Sequence, residues 1–118
     1  MATAAKRHLS GGADGLPIKV VQTATAGTTI HTAVAGTTDG TFDEIWLYAQ
    51  NNHTAAVTLT IEFGSAAAEG NIILTLASKS GLQLVVPGLI LHNGSTVKAF
   101  ASSANVVSIS GFVNTLTD

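Results

Sequence analysis

Apolar and polar residues alternate with a period of two along much of this chain. The clearest case is 55–63, AAVTLTIEF, in which Val57, Leu59, Ile61 and Phe63 fall on one side and Thr58, Thr60 and Glu62 on the other. That alternation predicts an antiparallel strand with one face on a core and the other in water. A slip of one residue would turn all four large apolar groups outward, so the register is firmly specified. Residues 43–51, DEIWLYAQN, carry bulk on both sides, with Ile45, Leu47 and Ala49 on one face and Trp46 and Tyr48 on the other. Two large faces predict a strand covered on one side by a second sheet and on the other by a loop or a neighbouring subunit.

The stretch 81–113, GLQLVVPGLILHNGSTVKAFASSANVVSISGFV, has three breaks in its apolar pattern. Pro87-Gly88 predicts a turn, because proline presets φ and glycine accepts φ > 0. Asn93-Gly94 between apolar runs is a strong hairpin signal, since a type I′ turn needs φ > 0 at both central residues. Residues 102–105 form a weaker polar break. The expectation is four strands in one meander. Upstream, 18–25 opens after Pro17, a residue tolerated at the start of a strand. Two Ala-Gly-Thr-Thr turns bracket 30–35, and 71–76 supplies a further strand. Residues 66–69 could make one helical turn but are too few for a helix. No window holds a 3.6-residue period. The chain is therefore expected to be all-β, an antiparallel, jelly-roll-like β-sandwich of about eight or nine strands.

The first residues read differently. A basic cluster, Lys6, Arg7 and His8, is followed by Leu9 and by the flexible run 10–15, SGGADG. Such a segment predicts a flexible arm over 1–16 ahead of a β-sandwich domain over 17–118. The arm's role would be to order on a neighbouring subunit or an acidic surface, with Lys6, Arg7, His8 and Leu9 as contacts.

Composition narrows the function classes. The chain has 118 residues, of which 10% are charged, against about 25% in a typical soluble domain. Hydrophobic residues stand at an ordinary 46%, so Thr, Ser, Gly and Asn have replaced charge. A surface this neutral is poorly protected against association and suits assembly. With a net charge of -2 there is no overall field for nucleic acid or acidic lipid. There is no cysteine, hence no disulfide framework or thiolate chemistry. The first residues lack the apolar core of a cleaved signal peptide, and no run reaches the roughly 18 apolar residues of a membrane helix.

Candidate chemistry is sparse. His8, His31, His53 and His92 show no metal-ligand spacing among themselves or with carboxylates. His31 and His92 sit on strands and read as half-buried or interface residues. Asp39 and Asp43 faintly resemble the start of a calcium loop but lack its further acidic positions. There is no Gly-x-Ser-x-Gly elbow. The carboxylates show no pair recognisable as glycosidase machinery. No catalytic residue, metal or cofactor is expected. Trp46 and Tyr48 are the aromatic candidates for partner binding or, in another reading, for a sugar-binding platform.

The segments AKRHLSGG, LPIKV, TIHTAVAGTT, FDEIWLYA, TIEFG and LVVPGLILHNG together span most of the chain. This pattern resembles small β-sandwich virion proteins of tailed bacteriophages that decorate or cement the icosahedral head. The resemblance implies a non-enzymatic protein made in the host cytoplasm and carried on the outer surface of the capsid. It implies binding to the major capsid protein as a homo-oligomer, a trimer or else a dimer, with no cofactor. Related alternatives are a tail, fibre or connector component and a carbohydrate-binding sandwich.

Overall fold

The computed structural model describes residues 2–118. Among these residues nine strands form: β1 (Thr3–His8), β2 (Ile18–Lys19), β3 (Thr28–Thr32), β4 (Phe42–Asn51), β5 (Val57–Phe63), β6 (Asn71–Leu76), β7 (Gln83–Leu91), β8 (Thr96–Ala101) and β9 (Val107–Thr117). One short 3₁₀ turn, Ala68–Gly70, is the only helical element among the described residues.

The strands make two antiparallel sheets. The first has the order β1-β9-β4-β7, with β2 also paired to β9, and the second the order β3-β8-β5-β6. The pairing is nested: β2 with β9, β3 with β8, β4 with β7 and β5 with β6. A two-stranded ribbon of that kind, rolled so that successive pairs fall in opposite sheets, is a jelly roll. Rolling brings β4 against β9 and β5 against β8.

Alternation explains the core. Ile45, Leu47 and Ala49 of β4 and Val107, Ile109 and Val113 of β9 point inward and are fully buried. Opposite them lie Val57, Leu59 and Ile61 of β5 and Val97, Ala99 and Ala101 of β8. Small residues on β8 let the two layers close over the larger groups facing them. Thr60 and Glu62, expected in water, are buried at 5% and 3% exposure. Thr60 sits between Phe100 and Ile73 on the neighbouring strands. Glu62 lies beneath the segment before β3, where it accepts hydrogen bonds from Thr25 Oγ1 (3.0 Å) and the Gly27 amide (2.7 Å).

Further expectations are corrected. The 81–113 stretch is not a meander, since β7 and β9 belong to the first sheet and β8 to the second. Pro87-Gly88 is no turn: it lies inside β7, where the register against β4 shifts between Ile45 and Trp46. Proline is accepted there because β7 is a sheet edge, and the extra residue forms a bulge. Asn93 and Gly94 do take positive φ, 62° and 65°, but their turn carries the chain from one sheet to the other. Their amides bond to Gly36 and Val34 rather than closing a ladder.

Another correction concerns the N-terminal segment. Thr3–His8 is not an arm apart from the sandwich but a strand paired residue for residue with Thr117 back to Phe112. β1 and β2 follow one another along the same edge of β9, interrupted by the glycine-rich loop. The free edge of β9 supplies backbone partners that local sequence does not advertise.

Candidate interaction surfaces

The outward face of the first sheet is built in rows. Phe112, Trp46 and Pro87 lie side by side on β9, β4 and β7, and the next row holds Asn114, Glu44 and Ile90. Trp46 and Phe112 stack, with ring centroids 6.2 Å apart and planes 15° from parallel. Lys6 on β1 places Nζ 4.3 Å from the Phe112 centroid, a cation–π contact. The Trp46 indole N–H donates to Glu44 Oε1 at 2.7 Å, and Asn114 Nδ2 donates to the same oxygen at 3.0 Å. These two donors, the indole first, hold the Glu44 carboxyl below its ordinary pKa, against a smaller opposing effect of desolvation.

Gly88 completes the platform. A Cβ there would come within 2.8 Å of Trp46 Cζ2, and the residue has φ +78°. The indole therefore packs directly against the bulge. Tyr48 continues the face one row further on, opposite Leu84, and Leu84 and Ile90 are 48% and 55% exposed. Among the described residues no element covers this side of the sheet. Trp46 and Tyr48, read from sequence as binding candidates, lie together here, and Lys6 joins them.

The rest of the basic cluster, Arg7 and His8, borders a cleft at the sheet edge. Arg7 points to the opposite side of β1, as its register with Val113 requires, and lines this cleft of about 620 Å³ between the edges of the two sheets. His8 is exposed, with Nδ1 3.0 Å from the Leu9 carbonyl. Leu9 is no partner contact, since at 4% exposure it belongs to the core.

On the floor of that cleft His31 and Asp43 are buried, with His31 Nε2 2.7 Å from Asp43 Oδ2. The Ser10 amide donates to His31 Nδ1 at 3.0 Å, so the ring proton on Nε2 is given to Asp43. The Val34 amide donates to Asp43 Oδ2 at 3.1 Å and Thr115 Oγ1 to Oδ1 at 2.7 Å. Ser10 Oγ lies 3.1 Å from Nδ1 and accepts the Thr32 amide at 2.8 Å. Serine, histidine and carboxylate in a row resemble a hydrolytic relay. Here, however, the nitrogen that would act as base already accepts the serine's own amide, and every polar group is engaged internally. The arrangement is a clasp fastening the chain after β1 to both sheets. Its four side chains come from four segments, so no spacing in the sequence announces it. Because Asp43 is bound inside the clasp, it does not join Asp39 in a calcium loop. Among the described residues no three His, Asp or Glu side chains gather as a metal site requires.

Compared with protein-family models, with curated proteins and with solved structures, the chain matches none.

Proposed function

We propose that this protein is a non-enzymatic structural component of a tailed-phage virion, binding the major capsid protein lattice as a decoration or cement protein. The observation that carries the reading is the uncovered Trp46–Phe112 platform, rimmed by Lys6, Tyr48, Leu84 and Ile90. Contiguous aromatic and aliphatic groups on one sheet face are what protein interfaces use as anchors. The low charge and Thr-rich surface support the same reading, and so does the resemblance of the sequence segments to head decoration proteins. Assembly as a homo-oligomer, a trimer or a dimer, on the capsid's outer surface would let many weak contacts add by avidity. Neither nucleic acid nor membrane enters this reading.

The test is sedimentation with assembled, undecorated heads, followed by cryo-electron microscopy of the pellet. Stoichiometric binding with density at symmetry axes, lost in Trp46→Ala, is expected. A folded protein that stays in the supernatant overturns the reading. Trp46 quenching on a glycan panel would then establish the sugar-binding alternative.

A further inference from the structure

The cleft beside β1 has a property that the clasp does not use. β1 is the terminal strand of its sheet, and all six of its residues are exposed. Its outer edge therefore presents unpaired N–H and C=O groups, a template for one more strand. The sandwich is open along this side, because β1 ends one sheet and β3 ends the other. A strand added along β1 would send alternate side chains down into the cleft, whose roughly 620 Å³ is the size of a ligand pocket.

Charge selects the occupant. The chain has five Lys and Arg residues and a net charge of -2, yet Lys6 and Arg7 are adjacent on this strand. Arg7 lines the cleft, and among the described residues no carboxylate lies within salt-bridge distance of it. Asp43, on the floor of the same cleft, makes no ion pair with it and already accepts from His31, Val34 and Thr115. A second copy of β1 is a poor partner, because it would set Lys6 and Arg7 against their own kind.

We propose that β1 accepts an extended acidic segment of another protein, added as an antiparallel or parallel strand, with a carboxylate reaching Arg7 in the cleft. The inference rests on the assembly reading and deepens it by naming the chemistry of the partner segment.

The experiment uses the full chain and short fluorescent peptides in which Glu alternates with Val or Thr, with Lys-for-Glu peptides as the control. The acidic peptide should bind, more weakly as salt rises, and Arg7→Glu should weaken it about tenfold or more, as loss of one charge-assisted hydrogen bond implies. Circular dichroism checks that this exposed substitution leaves the fold intact. N-methylation of alternate peptide amides gives a second readout. Methylating one alternate set should abolish binding and methylating the other should not, since only one set faces β1. Equal binding of the Lys peptide, or indifference to both methylation patterns, overturns the proposal. If heads bind wild type and Arg7→Glu equally and no acidic peptide binds, the edge proposal fails while the assembly reading stands. If the acidic peptide binds but heads do not, the edge proposal stands and the assembly reading fails.

Discussion

His31 and Asp43 meet across the sandwich, Nε2 to Oδ2 at 2.7 Å, one from each sheet and both out of water. Asp43 also accepts from Val34 and Thr115. Asp43→Ala leaves the His31 ring, the Thr115 hydroxyl and a backbone amide without their acceptor. The expected loss is about 3–5 kcal/mol in urea unfolding, because a buried polar partnership is broken from one side only.

Trp46 is the only tryptophan, so its emission reports on the platform alone. Glu44 has its pKa lowered in the folded state by the indole and Asn114 hydrogen bonds. A group with a depressed folded pKa adds stability above its unfolded value and loses it as pH falls through the folded one. Acid titration should therefore change Trp46 emission at a lower pH than that at which an unperturbed glutamate titrates. Glu44→Gln should remove the transition, and an unchanged profile in that variant would assign the event to another group.

The bulge under the indole gives a conformational prediction. Gly88→Ala places a methyl into the Trp46 ring at a positive φ and should shift the emission as the ring lifts. Gly111→Ala meets backbone instead, with its Cβ 2.0 Å from the Trp46 carbonyl oxygen. A flexible side chain can move aside and a paired strand cannot, so Gly111→Ala should be the more destabilising of the two, by about 1–3 kcal/mol or more in thermal unfolding.

Leu59 and Ile61 are fully buried where β5 faces the first sheet. Truncating either to alanine should cost about 2–5 kcal/mol, measured by chemical denaturation.

Truncation from the N-terminus should show a threshold. Removing residues 1–8 deletes an exposed edge strand and should leave a cooperatively folded sandwich. Removing 1–15 also takes Leu9 from the core and Ser10 from the clasp. The longer deletion should be less stable by about 2–5 kcal/mol, mainly from the loss of Leu9. Equal stability of the two would mean that Leu9 contributes nothing to the core.

What could be read from the chain alone was whatever depends on neighbours in sequence. The period-two alternation placed Leu59 and Ile61 inward, Ile45 and Leu47 opposite Trp46 and Tyr48, and most strands within a few residues of their positions. Asn93-Gly94 was legible as a turn because φ > 0 is a local requirement. The tertiary structure alone decided which strands share a sheet, because a turn reverses the chain without choosing its partner. It alone made Pro87-Gly88 a bulge, since only position at a sheet edge excuses a missing amide. It joined the N-terminal strand to β9 through backbone groups that carry no sequence signature. The clasp of Ser10, His31, Asp43 and Thr115 likewise exists only because rolling the ribbon brings four distant segments to one point. Alternation governs which side of a strand is buried, whereas assembling a site depends on long-range pairing, whose hydrogen bonds are the same for every residue type but proline.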